Sequence, residues 1–387
     1  MTLVRYFRLF FLVLGAGLGL VAAVNWVVDP CASFRWSDIR GFNDMKNLKS
    51  FGGRVNKALI LTGTPFEVLF FGTSRAEVGL SPASVVLEGR PAFNAALSFT
   101  NMVELQRAAA YVADHQSPQL VVIGLDMIAF SSDTAVSGDF AESAFAGKSL
   151  LPVYAERLLS RRMLGASFTV VSASLRHRPS SYPKTGTYDP PQSEAESDRG
   201  RAFTQVLRQY LGSAGANYRT FRYRPERMAL LADMVRRFDA KGARVVLFVS
   251  PIHAQLFEAM AAAGLGPTNE QWKRDLVATV AEINRGARTP VRLWDFSGYN
   301  SVTTEPLPVS GRMRWYWEPS HYTKAAGDLV LARVLGREGA VGQVPADFGV
   351  ELTPATIDSA LAAIRDGHVA YEAGNPSVVA AVRALAQ

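Results

Sequence analysis

At 387 residues the chain is long enough for one large domain with insertions or for two of ordinary size. Hydrophobic residues make up 48% and charged residues 19%, which supports a sizeable core and excludes general disorder. The balance is basic, 41 Lys plus Arg against 34 Asp plus Glu, and suits an anionic polymer or phospholipid headgroups. The arginines are nevertheless spread along the chain without a nucleic-acid motif, so nucleic acid is not expected as a partner. A single cysteine, Cys31, excludes an intramolecular disulfide and a cysteine-based zinc site. Its Val28-Asp29-Pro30-Cys31 context lacks the small and aliphatic residues of a lipidation signal, and it reads as structural.

Residues 9–28 are almost wholly apolar, with Asn25 the single polar interruption. At 1.5 Å per residue, about 20 residues span the ~30 Å hydrocarbon core of a bilayer. Arg5 and Arg8 precede the run, and Tyr6 and Trp26 stand near its ends as interfacial anchors. A cleaved signal peptide competes, with small residues at Val21-Ala22-Ala23. The run continues past that site to Val28 and favours an uncleaved single-pass anchor over residues 1–28, with the bulk of the chain outside. Charge bias does not orient it, because Arg35, Arg40, Lys46 and Lys49 follow. Residues 29–63 are polar and without a clear period, and read as a juxtamembrane connector.

Continuous apolar runs at 67–71, 120–123, 244–249 and 291–294, with a weaker one at 91–94, predict strands covered on both faces. Helical patterns at 101–115, 225–240, 271–284 and 323–335 alternate with them. The expected fold is therefore α/β, a doubly wound, mostly parallel sheet in a domain over residues 64–340. The alternation breaks between about 130 and 224. That segment, with a helix at 151–164 and a proline-bearing polar stretch at 178–201, reads as an insertion, part lid and part mobile loop, over the active edge. Residues 341–387 form a C-terminal helical extension, with patterns at 353–365 and 376–385.

Two constellations carry chemistry. In Phe70-Phe71-Gly72-Thr73-Ser74-Arg75 an apolar strand runs into Gly-X-Ser and then a helix start. Such a turn exposes a serine at the carboxyl edge of the sheet, where open α/β folds place ligands, and nearby helix-start amides help to hold an oxyanion. A serine there is also an ordinary helix cap. In Trp317-Glu318-Pro319-Ser320-His321-Tyr322 a carboxylate and a histidine stand three apart on a loop before the last helix of the α/β pattern. The carboxylate can fix the imidazole tautomer and stabilise the imidazolium formed when the histidine acts as general base. His253, after the strand at 244–249, lies at the same edge and reads either as a substrate-binding residue or as a satisfied polar residue at a strand end.

Taken together, a serine after the first strand and a carboxylate-x-x-histidine loop before the last helix resemble the SGNH/GDSL hydrolase superfamily. The nearest branch is the membrane-anchored, extracytoplasmic one that acts in polysaccharide acylation, similar to the alginate O-acetylation and teichoic-acid D-alanyl transfer proteins. The resemblance covers about residues 66–336, with the insertion poorly matched. It implies Ser74 as nucleophile, His321 as general base and Glu318 as its orienting carboxylate.

The family's second block usually supplies a glycine amide to the oxyanion hole. Here it reads Asn94-Ala95-Ala96-Leu97-Ser98, so the resemblance assigns that role to the amide of Ala96 or a neighbour. The third block, usually Gly-x-Asn, is Gly124-Leu125-Asp126. A carboxylate facing an oxyanion repels it, by about 4 kcal/mol for unit charges at 4 Å and an effective dielectric of 20. Asp126 is then protonated, paired with Arg75, or turned to another task such as capping.

The resemblance further implies O-acyl, most simply O-acetyl, transfer to a polysaccharide beside an integral-membrane acyltransferase in the bacterial inner membrane, without metal or cofactor. An SGNH-type esterase and a non-catalytic scaffold in polysaccharide assembly are the alternatives.

Overall fold

The computed structural model describes residues 2–34, 38–50, 52–131, 135–190, 199–212, 218–308 and 311–386. Part of the expected insertion, including most of its polar stretch after Pro190, lies outside these described residues. The chain folds as two units, Met1–Thr64 with Ser137–Asp189, and Pro65–Val136 with Pro190–Gln387.

The first unit begins with helix α1 (Leu3–Val28), whose mean hydropathy of 2.2 and length suffice to cross a membrane. Residues 29–63, expected as a connector, contain helix α2 (Gly53–Gly63), which buries Val55, Ala58, Leu59 and Leu61. The weak apolar period of this short segment hid it. The helix expected over 151–164 is two, α5 (Leu150–Leu159) and α6 (Arg161–Leu175). Ser160 divides them: its amide closes α5 on the Glu156 carbonyl, and its hydroxyl accepts from the Met163 amide to cap α6. Both helices belong with the N-terminal segment rather than with the sheet that flanks them in sequence. Asn25 joins them to α1: its side-chain amide donates to the Leu158 carbonyl at 2.9 Å, and its oxygen accepts from the Ser167 hydroxyl at 3.0 Å. Cys31 is buried, donates to the Ser50 carbonyl, and has its thiol pushed up to about 12 by burial.

The second unit is α/β. Its six-stranded sheet runs β2 (Ala92–Asn94), β1 (Val68–Phe71), β3 (Leu120–Leu125), β4 (Arg244–Val249), β5 (Arg292–Asp295) and β6 (Val350–Glu351). The first five are parallel; β6, which the sequence pattern missed because it is two residues long, pairs antiparallel with β5. An Arg292–Glu351 ion pair at 2.7 Å supports that pairing. β1 and β3 are buried at every position, which is why they read as unbroken apolar runs. Between the strands lie α3 (Ser74–Gly79) and α4 (Met102–His115), with α7 (Arg199–Leu211), α8 (Met228–Ala240), α9 (Ala254–Ala262), α10 (Gly266–Asn284) and α11 (Lys324–Leu335) following. Helices α12 (Ile357–Gly374) and α13 (Pro376–Ala384) complete it.

The strand order reverses between β1 and β3. From β1 the chain steps to β2 on one side, then crosses to β3 on the other. In parallel sheets the loops leaving the strands at such a point splay apart and leave room for a ligand. Ser74 follows β1 and Asp126 follows β3, so both flank this point.

Candidate active site

Between Val68 and Leu80 every residue is buried except Ser74. Its exposure follows from the elbow that carries it. Gly72 has φ +144, and a Cβ there would come within 2.8 Å of both the Ala76 side chain and the Gly124 carbonyl oxygen. Only glycine allows the turn to sit that close to β3. Thr73 then caps α3, its hydroxyl accepting from the Arg75 amide at 3.3 Å.

His321 arrives from a tight turn. The Trp317 amide donates to the His321 carbonyl at 3.0 Å, and the His321 amide to the Glu318 carbonyl at 3.2 Å. This folds Glu318 back beside the imidazole: Glu318 Oε1 accepts from His321 Nδ1, while Oε2 accepts from the Ser320 amide at 2.8 Å. With the proton on Nδ1, Nε2 is left to accept from the Ser74 hydroxyl at 2.8 Å. Burial works against the charge on Glu318. Its ion pair and hydrogen bond with His321, with help from the Ser320 amide, nonetheless hold the carboxyl below its usual range.

Two glycines set the distance between these halves. A Cβ on Gly79 of α3 would fall inside the Tyr322 ring, and one on Gly327 of α11 would fall on the Gly79 carbonyl oxygen. The helices therefore meet backbone to backbone, with Ser74 at the start of one and His321 just ahead of the other. Because backbone cannot yield as a side chain can, Gly327→Ala should push α3 from α11. The expected result is a loss of about 1–3 kcal/mol in denaturant unfolding. A shift of the Ser74–His321 pair on the order of 1 Å should also lower turnover by about 10²-fold.

Asp126 is paired with Arg75. Its Oδ1 accepts from Arg75 Nη1 at 2.6 Å and its Oδ2 from the Thr73 hydroxyl at 2.5 Å, both side chains being almost fully buried. Burial disfavours the guanidinium charge, but Asp126 outweighs it and raises the Arg75 pKa above its ordinary value. Arg75 Nε also donates to the Ser320 hydroxyl, and Nη2 to the Tyr210 hydroxyl, each at 3.2 Å; Tyr210 and Ser320 are 3.0 Å apart. The residue after Ser74 is thus tied to the residue before His321. Tyr210, on α7, carries no local signal in the sequence and enters through tertiary packing alone.

Two expectations are corrected. The Ala96 amide is not an oxyanion donor, because it donates to the Asn94 side chain at 3.0 Å. Its neighbours are committed as well, Ala95 to the Phe70 carbonyl and Leu97 to the Gly72 carbonyl. Asn94 further donates to the Ala76 and Leu80 carbonyls, so this stretch fastens α3 to the end of β2. The amide of Ser74, first in α3, has no acceptor within its helix.

His253 does not line the site as a substrate-binding residue; of its two readings the structure bears out the satisfied polar residue at a strand end. It is 1% exposed, its Nδ1 caps α9 by accepting from the Gln255 amide, and its Nε2 donates to the Glu305 carbonyl at 2.8 Å. Its backbone amide donates to the Pro319 carbonyl at 3.0 Å, so it fastens the Glu318–His321 turn to the end of β4.

Burial lowers the His253 pKa to about 4, while the bond to Glu305 partly opposes that shift. The unfolded chain, with an ordinary histidine near 6.5, binds the proton first as pH falls. The stabilising contribution is complete above about 6.5 and is lost towards about 4. Full-length protein in detergent should lose about 2 kcal/mol more than His253→Gln between about pH 7.5 and pH 5, read from urea midpoints.

α7 packs over the turn. Arg199 donates to the Trp317 carbonyl at 2.8 Å, and Phe203 meets His253 edge to face. No model of a known protein family matches the chain, and no curated protein matches it.

Proposed function

We propose that the chain is a membrane-anchored serine acyltransferase of SGNH type, which moves an acyl group, most simply acetyl, onto an extracytoplasmic polysaccharide. The observation that carries this reading is the continuous hydrogen-bonded chain Ser74–His321–Glu318 at the carboxyl edge of the parallel sheet. In it His321 removes the Ser74 proton as the hydroxyl oxygen attacks the acyl carbonyl, and Glu318 stabilises the imidazolium. The Ser74 amide is available to the tetrahedral oxyanion. His321 then returns the proton to the leaving group, and a sugar hydroxyl, deprotonated in turn by His321, resolves the acyl-enzyme. Water in that role gives an esterase with the same residues.

The apolar helix α1 supports transfer beside a membrane, where an integral-membrane acyltransferase would deliver the acyl group. In this reading the membrane is a bacterial inner membrane and the α/β unit lies outside the cytoplasm. A second reading, a non-catalytic scaffold in polysaccharide assembly, draws on the oxyanion side, where Ala95, Ala96 and Leu97 have committed amides and Asp126 is an ion-paired carboxylate.

Mass measurement of full-length protein in detergent after exposure to an activated acetyl ester separates the two. An acetyl group on the Ser74 peptide, absent in Ser74→Ala, supports the enzyme; an unmodified Ser74 peptide supports the scaffold.

A further inference from the structure

Helices α5 and α6 carry exposed apolar side chains outside the faces they bury. On α6 the inward stripe is Met163, Ser167, Val170 and Ser174, all buried. A second apolar stripe at the same helical spacing, offset by roughly 100° round the helix, is Leu164, Phe168, Val171 and Leu175; Phe168 and Leu175 are each 66% exposed, and Leu164 and Val171 are half-buried. On α5 Leu151, Ala155 and Leu159 recur at four-residue intervals, with the two leucines 76% and 48% exposed. A helix in water has no reason to be apolar on the face it does not bury.

The place of this hairpin suggests what covers it. Residues 3–20 of α1 are exposed throughout. The eighteen residues 3–20 rise about 27 Å, close to the ~30 Å hydrocarbon thickness. Asn25, which binds the α5–α6 corner, therefore lies where hydrocarbon gives way to headgroups, beside the half-exposed Trp26. The charges agree: residues 150–178 hold Arg157, Arg161, Arg162, Arg176 and Arg178 against the single acid Glu156. Apart from the buried Arg157, these arginines are exposed and flank the α6 stripe at both ends.

We infer that α5 and α6 form a second membrane contact, a hairpin lying in the headgroup–acyl boundary of an anionic leaflet beside the anchor. The exposed apolar side chains face the acyl chains and the arginines the phosphates. This rests on the reading of α1 as membrane-spanning, and the test keeps the two apart.

Full-length protein with a single introduced cysteine, at Leu12, Phe168 or Leu175, would be labelled with an environment-sensitive fluorophore. It would then be reconstituted into vesicles of phosphatidylethanolamine and phosphatidylglycerol. The buried Cys31 should stay unlabelled, which the unsubstituted protein checks. Lipids carrying a spin label deep in the acyl chain should quench the fluorophore at 12, and lipids labelled near the headgroup those at 168 and 175. Quenching at 12 with none at 168 or 175 would overturn the hairpin and leave the anchor standing. A blue-shifted but unquenched fluorophore at 168 and 175 would likewise overturn it, in favour of a protein partner. No quenching at 12 would overturn the anchor itself, and the hairpin with it.

Discussion

Ser74→Ala and His321→Ala are each expected to lower acyl transfer or ester hydrolysis by about four orders of magnitude or more. Both should leave the fold in place. Ser74 is the one residue from Val68 to Leu80 that is not buried, and its hydroxyl bonds His321 Nε2 at 2.8 Å. Losing that hydroxyl removes the nucleophile; losing the imidazole removes the base that makes it one. The two act as a unit, so the double variant should be little slower than either single one. Glu318→Gln should give a smaller loss. The glutamine keeps a hydrogen-bonding oxygen near His321 Nδ1 but no charge to stabilise the imidazolium. Turnover of an acetyl ester, with circular dichroism as the check on folding, decides the matter. Full activity in Ser74→Ala would end the serine-enzyme reading.

The second large effect is expected at the Arg75–Asp126 pair. Asp126→Asn leaves a buried guanidinium without its counter-charge, and breaking a buried pair in this way typically costs about 3–5 kcal/mol. Activity should fall too. Arg75 holds Ser320, which lies between Glu318 and His321, and Asp126 holds Thr73, which precedes Ser74. One ion pair therefore ties together the chain segments that carry nucleophile and base. If Asp126 merely stood where an oxyanion-binding amide belongs, the same change would keep or raise activity, since a neutral amide donates where a carboxylate repels. Arg75→Gln should resemble Asp126→Asn. The double variant should lose clearly less than the two single losses together, because the second change removes the charge that the first left unpaired. Strict additivity in unfolding free energy and turnover would show that the pair does not couple the two halves of the site.

Features that rest on local pattern can be read from the chain alone. Strands β1 and β3, and β4 after its exposed Arg244, are unbroken apolar runs because helices and neighbouring strands leave their residues almost no water, and such runs are visible without a structure. The same holds for α1, where length and apolarity are the property itself. The Glu318–His321 contact was legible because the two lie within one turn, and the Gly72–Ser74 elbow because a glycine with positive φ before a capped helix is a local device. Asp126 could be reduced to a few roles by electrostatics alone, pairing with Arg75 among them.

Which distant groups meet follows from packing, not from any pattern along the chain. The Ser74–His321 hydrogen bond joins positions 247 residues apart. It depends on the sheet order and on the backbone contact of Gly79 with Gly327, neither of which has a pattern in the chain. Tyr210 reaches the site from a segment where strand–helix alternation had lapsed. His253 is a candidate because it sits at the correct sheet edge, and Ala96 because the family resemblance places an oxyanion amide there. Whether a histidine or an amide at that edge is free depends on Glu305, Gln255 and Asn94 taking up its hydrogen bonds. A buried polar group is held by whichever partner the fold brings within about 3 Å, and that choice is made by packing, not by spacing along the chain.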